Sequence, residues 1–357
     1  MKRSVSISLV LSLMLTATDW LTASNWQSTA TLAKEVFNDT CNPVGRLINV
    51  QGKVELKRKW WQEYQPTTVG AVLCLGDLLR PAKEAKVIVQ CADLNQNPWN
   101  VPSGVPSGAA IGCRPPEEPI YTITGPITPT RGPLARRIPY IISPNSTWLL
   151  NNKPQLRWQA VPGATSYTVR VSGPGVKWET EVSTTSVVYT GEPPLKSVEQ
   201  GYLLTVSADN GESQAKATFG LLDENKATRV RAAAERIAQQ NLADDAKTLA
   251  LADLYIGQEL IAEAMDLLEA SVAKGSKTAA VYYTLGDLYA QVELLSQAKG
   301  NYLKAFQLAR TANDIEGQAA AAARLGEVYK ALGNSDKAIA WLKEAQNRYQ
   351  ALKPVTY

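Results

Sequence analysis

The spacing of apolar residues changes once along this chain, from every second position in the first two thirds to every third or fourth beyond about residue 223. In the later part, Leu251-Ala252-x-x-Tyr255, Leu285-Gly286-x-x-Tyr289 and Leu325-Gly326-x-x-Tyr329 align. Ala264, Ala298 and Ala338 then fall into step, followed by Leu268, Tyr302 and Leu342. Such spacing places one apolar stripe on each helix and predicts a stack of helix pairs over 245–352. Small residues at the Gly/Ala positions let the two helices of a pair approach, and the Leu and Tyr make the stripe that the next pair covers. The first two copies lie thirty-four residues apart and the third is delayed by six, which predicts a longer inter-repeat turn over Asn313 to Gln318. Residues 223–244, rich in Ala and Arg, predict an amphipathic helix capping the open end of the stack.

Upstream, alternation at period two predicts strands. Within 41–96 they are Val44 to Val50, Lys53 to Lys57, Val69 to Leu73, Leu78-Leu79 and Lys86 to Gln90. Within 140–220, Pro154-x-Leu156-x-Trp158-x-x-Val161-x-Gly163-Ala164-x-x-Tyr167-x-Val169-x-Val171 alternates, and Gly201-Tyr202-x-x-Thr205-Val206-x-Ala208 follows Leu195. Residues 97–139 are crowded with Pro and Gly and predict a disulfide-tethered loop and linker. The expected fold class is a multidomain α and β protein: a small all-β domain, a β-sandwich and a C-terminal all-α solenoid.

The helical register resembles the tetratricopeptide repeat. The family's Trp position holds Thr248, Tyr282 and Ala322 here, and its late Pro is absent. The resemblance implies protein binding in a groove lined by the first helix of each pair, at Leu249, Asp253, Ile256, Tyr283, Asp287, Gln291, Glu327 and Lys330. Asp253, Asp287 and Glu327 recur at one repeat position, so stacking implies a row of carboxylates suited to a basic or amide-rich peptide. Gly45, Val50, Gly52 and Val54, with Gly70, Gly76-Asp77-x-Leu79 and Ala85-x-Val87, resemble the FecR-like β domain over about fifty residues. The 140–220 pattern resembles a fibronectin type III or other immunoglobulin-like sandwich, with Trp158 as core anchor and Tyr202 where a tyrosine corner is expected.

Composition narrows the chemistry. The chain has no histidine, which removes Ser-His-Asp and Cys-His nucleophile systems and His-ligated metals. Its net charge of +4 comes from Lys and Arg intermixed with Asp and Glu, so no polyanion-steering field is expected and nucleic acid is not an expected partner. Lys2-Arg3 before an apolar run from Val5 to Ala17, ended by Asp19, predicts a signal peptide within 1–33, an uncleaved anchor being the alternative. No membrane span is expected once the signal is removed.

Cys41, Cys74, Cys91 and Cys113 form an even set that fits an oxidising compartment, secreted or periplasmic. Three connectivities are open. Closure of the Pro/Gly-rich loop favours Cys91 with Cys113, leaving Cys41 with Cys74; spacing argues against a zinc site.

The remaining constellations offer little chemistry. Ser213-x-x-Lys216 and Ser271-x-x-Lys274 match a nucleophile spacing but sit in a strand and at a helix end. Glu117-Glu118 lies between prolines, where solvated charges are expected. Trp60, Trp61 and Tyr64, beside Lys57-Arg58-Lys59, can stack on sugars, although in an extended segment Trp61 faces away from the other two and at least one Trp is expected to plug the core. The expected function is non-enzymatic protein or peptide docking in the helical groove, without cofactor or metal. The alternative is envelope polysaccharide binding through the β-domain aromatics.

Overall fold

The computed structural model describes residues 41–93, 96–115, 127, 138–211 and 214–352. The predicted export segment, Glu117-Glu118, Ser213 and residues 116–126 and 128–137 of the predicted loop and linker lie outside the described residues.

The N-terminal module carries two four-stranded sheets. One has the order β4-β1-β6-β7, from β1 (Pro43–Gln51), β4 (Val72–Cys74), β6 (Lys86–Cys91) and β7 (Trp99–Val101). The other has the order β3-β2-β5-β8, from β2 (Val54–Lys57), β3 (Gln65–Pro66), β5 (Leu78–Pro81) and β8 (Ser107–Gly108). Residues 97–115, expected as loop, instead contribute β7, β8 and the short helix α1 (Ala109–Gly112) to this module. The Pro/Gly content concealed strands only two or three residues long, too short to show a period. Cys41 joins Cys74 and Cys91 joins Cys113, the pairing favoured by loop closure.

Alternation gives the first sheet two apolar faces. Leu47, Val87 and Val89 enter the module's own core, alternation puts Ile48 on the opposite face, and the register shift between Leu47 and Asn49 returns Val50 to the core side. Ile48 is nevertheless fully buried, because it packs with Ile88 on the helices described below.

Strands β9 (Tyr140–Ser143) through β16 (Ala215–Leu221) form the second module. Between them run β10 (Thr147–Leu149), β11 (Gln155–Gln159), β12 (Tyr167–Gly173), β13 (Val176–Val182), β14 (Ser186–Val188) and β15 (Tyr202–Ala208), and a five-stranded sheet (β10-β16-β15-β12-β13) faces a three-stranded one (β14-β11-β9) across a single core. Trp158 and Tyr202 are buried in that core. The Tyr202 hydroxyl donates to the Lys196 carbonyl at 3.0 Å and accepts from the Lys196 N–H at 2.8 Å, which pins the chain leading into β15 (Tyr202–Ala208).

Seven helices follow. Helix α2 (Glu224–Ala238) starts at Asp223, whose side chain accepts from the Lys226 N–H. Its buried Ala227, Val230, Ala233 and Ile237 pack on Leu222, Leu242, Ala246, Ala250 and Leu254, closing the first end of the stack. The pairs are α3 (Asp244–Gly257) with α4 (Ile261–Ala273), α5 (Ala279–Gln291) with α6 (Leu295–Thr311), and α7 (Ile315–Ala331) with α8 (Ser335–Leu352). A Cβ on Gly286 would meet the Tyr302 ring at 2.7 Å, and one on Gly326 would meet Leu342 Cγ at 2.6 Å, so the small repeat positions are the points of closest helix approach.

The six extra residues do not make a longer turn. Helices α6 and α7 run 17 residues each against 13 in α4 and α5, while only 312–314 separate α6 from α7. The Ala-rich run Ala319 to Ala323 continues the helix instead of breaking it. Asn313 absorbs the reversal in a left-handed conformation (φ 54°).

The modules are docked on one another rather than strung out. Thr147 on β10 (Thr147–Leu149) donates to the Glu259 carbonyl and accepts from the Ile261 N–H, both at 2.9 Å. Arg157 on β11 (Gln155–Gln159) pairs with Glu269 at 2.6 Å and Asp266 at 2.8 Å on α4.

Candidate functional site

The face that the first helices of the pairs present, read from sequence as an open groove, is covered over much of its length by the N-terminal module. Gly70 sits against Ala280 on α5 so closely that a Cβ would lie 2.1 Å from the Ala280 methyl. Val69 packs into the cluster around Leu249. At the other end Ile315, Tyr349 and Leu352 pack on the module's core.

Two arginines of the module fix this arrangement. Arg46, on the outward face of β1, donates from Nε to Asp253 Oδ2 at 2.5 Å and from Nη1 to the Gly70 carbonyl at 2.8 Å. Arg58 is buried in the turn after β2. It donates to Asp77 at 2.6 Å within the module and to Glu316, in the first turn of α7, at 2.5 Å. Asp77 also accepts the Cys74 N–H at 2.8 Å, so Arg58 is aimed by a rigid, disulfide-bonded turn.

Between the outer face of the β4-β1-β6-β7 sheet and helices α2, α3, α5 and α7, with Tyr349 of α8, an open cleft of about 1180 Å³ remains. Its walls mix apolar Ala233, Ile237 and Leu254 with the donors and acceptors of Gln90, Arg236 and Gln240. Trp60 and Trp61 also line it.

The eight groove residues expected from sequence separate in the structure. Asp253, Ile256, Tyr283 and Asp287 line the cleft. Leu249 is fully buried, its methyl 3.5 Å from the position of a Cβ on Gly70, and is not available to a partner. Gln291, Glu327 and Lys330 stand outside the cleft. Nor is the carboxylate row free: Asp253 is held by Arg46, and Asp287 accepts from the Tyr302 hydroxyl at 2.7 Å and lies 3.1 Å from Arg324 Nε. Glu327 accepts from Arg324 Nη1 at 2.9 Å. Burial raises all three carboxyl groups above the ordinary range, and the neighbouring arginines pull the other way.

The aromatic trio also separates. Residues 58–64 form a turn rather than a strand, Trp61 is buried in the module core, and Tyr64 lies under the Arg80 guanidinium at 3.9 Å from the ring centroid. Only Trp60 keeps a partly exposed ring facing the cleft. Three rings in one sugar-binding plane are not what the structure brings together.

Arg46, Arg58 and Arg324 were missed in the sequence. Arg324 follows the uninterrupted run Ala319 to Ala323 on a helix, and a guanidinium placed on such a buried face calls for carboxylate partners. Among the described residues no group of His, Cys, Asp and Glu is arranged to hold a metal ion, and no helix is long and apolar enough to cross a membrane.

No family model matches the chain, and no curated protein matches it. Among solved structures, BtubC (BKLC) from P. vanneervenii is similar over 36% of this chain and 73% of its own, at 20% identity and a TM-score of 0.24. MamA is similar over 36% of this chain and 96% of its own, at 16% identity and a TM-score of 0.20. A second MamA structure, MSR-1 C2, covers 35% of this chain and 90% of its own, at 19% identity and a TM-score of 0.20.

Proposed function

We propose that this is an exported, non-enzymatic interaction protein of the tetratricopeptide kind, which holds a segment of a partner protein in the cleft between its helical stack and its FecR-like β module. The observation that carries the reading is the cleft itself: an opening of about 1180 Å³ that combines apolar side chains with the side-chain amides of Gln90 and Gln240. An extended peptide needs both, apolar surface for its side chains and polar groups for its backbone. Lys2-Arg3 with the apolar run after it, together with two disulfides, supports export. The fibronectin-like sandwich acts as a brace, holding α4 through Thr147 and Arg157.

A photo-crosslinking residue at Gln240 in the full chain, exposed to envelope extract, tests this. A partner captured at Gln240 and lost when Ala92→Trp narrows the cleft is the expected result. Capture unchanged in that variant, with circular dichroism also unchanged, removes the cleft from the mechanism. The polysaccharide alternative retains Trp60 and Tyr64 as partly exposed rings, the second stacked under Arg80 and away from the cleft.

A further inference from the structure

Of the three carboxylates at the repeated position, Glu327 differs from the other two. Asp253 and Asp287 are held by side chains alone in the contacts described above, whereas Glu327 also accepts the backbone N–H of Ile127. The Ile127 side chain, half-buried, packs against the apolar cluster of Ala298, Tyr302, Leu325 and Val328. Ile127 comes from the Pro/Gly-rich stretch between the two β modules, far from α7 in sequence. It meets the helical stack with one apolar side chain and one peptide N–H, the two groups that any extended peptide offers.

The sequence around it is suited to that use. In Gly125-Pro126-Ile127-Thr128-Pro129 the prolines carry no N–H, so the Ile127 amide is one of only two backbone N–H donors among residues 126–129. A carboxylate has about four acceptor positions, so Glu327 can serve Arg324 and this amide together.

We propose that the seat of Ile127 is a peptide-recognition subsite, filled in cis by Ile127, which takes from a partner an extended segment bearing an aliphatic residue whose own N–H reaches Glu327. This deepens the docking reading and rests on it. A partner enters the subsite by displacing Ile127, and a tethered occupant competes at roughly millimolar effective concentration.

A fluorescent peptide of residues 122–131 is the probe, added in trans to the full-length chain and to its Ile127→Asp variant, with anisotropy as the readout. The peptide should bind the variant roughly tenfold tighter than the parent, because the cis competitor is gone. Methylating the amide nitrogen of the peptide's isoleucine, which removes the donor without touching the protein, should weaken binding by roughly tenfold, the worth of a hydrogen bond to a charged group. Equal binding to both chains, absence of binding to the variant, or indifference to N-methylation would each overturn the subsite. If the peptide fails while capture at Gln240 persists and remains sensitive to Ala92→Trp, the subsite alone is lost. Loss of that capture with the peptide still bound instead rejects the cleft.

Discussion

Replacing Arg324 with Met tests the electrostatic account of the repeat interface. The side chain is 6% exposed, lying 3.1 Å from Asp287 and 2.9 Å from Glu327, whose side chains are only 11% and 13% exposed. Methionine fills much of the volume but leaves two buried carboxylates without their cation. Breaking a buried pair costs about 3–5 kcal/mol, which lowers the melting temperature of the helical part by on the order of 10 °C.

The loss depends on pH. Burial already raises both carboxyls and Arg324 opposes it, so without Arg324 their folded pKa values climb further above the unfolded ones. A group raised in the fold contributes stability below its unfolded pKa and loses it as pH rises through the folded value. The variant should therefore lie furthest below the parent near about pH 7.5 and approach it near about pH 4.5. Thermal melts followed by far-UV circular dichroism at the two pH values measure this. Adding Asp287→Asn and Glu327→Gln should recover most of the difference near neutrality. A gap between variant and parent that is the same at both pH values, or a triple variant no better than the single one, would refute the reasoning and leave lost packing as the cause.

Gly326→Ala drives a methyl to 2.6 Å from Leu342 Cγ and should destabilise by about 1–3 kcal/mol in a denaturant titration. Glu259 holds φ at 58° while exposed, with its carbonyl bound by Trp148 and Thr147, so Glu259→Gly keeps those bonds, relieves the strain and should stabilise by up to about 1 kcal/mol in the same titration. Burial raises the Glu263 carboxyl, which accepts the Leu150 N–H at 2.7 Å. Its charged form therefore costs stability as pH rises, and Glu263→Gln, which keeps an acceptor, should raise the melting temperature more near about pH 8 than near about pH 4.5.

The repeat register was legible because its cause is local. Gly286 and Gly326 must be small to admit Tyr302 and Leu342, and both partners lie sixteen residues further along the same helix pair. The disulfides were legible for a related reason, since each closes a loop within one module. Placement of the six extra residues was not. A run such as Ala319 to Ala323 fits a turn poorly and a helix well, but the aligned Leu and Tyr positions fix only where each repeat lies, not which element absorbs the insertion. The groove's covering was least legible, because Arg46 and Asp253 are 207 residues apart and Arg58 and Glu316 are 258 apart. Strand alternation showed Arg46 facing away from Leu47 without showing that helices wait on that side.

That outer sheet face changes what a recurring acidic position means in this stack. Exposed on an isolated groove, Asp253, Asp287 and Glu327 would form one field for a basic peptide; here Arg46 holds Asp253, Arg324 lies between Asp287 and Glu327, and the Tyr302 hydroxyl also donates to Asp287. The Asp253 pair is the most exposed of these contacts, at 14% for the arginine and 29% for the carboxylate, and solvent screening holds such a pair to about 1 kcal/mol or less. Arg58, by contrast, is buried and tied to Asp77 on its own module as well as to Glu316. A partner that needs more room than the cleft supplies therefore meets apolar resistance at both ends: at the Arg46 end Ile48, Ile88 and Val69 would have to leave the helices, and at the Arg58 end Ile315, Tyr349 and Leu352 would have to leave the module core. The apolar contacts, more than the ion pairs, keep the covering closed.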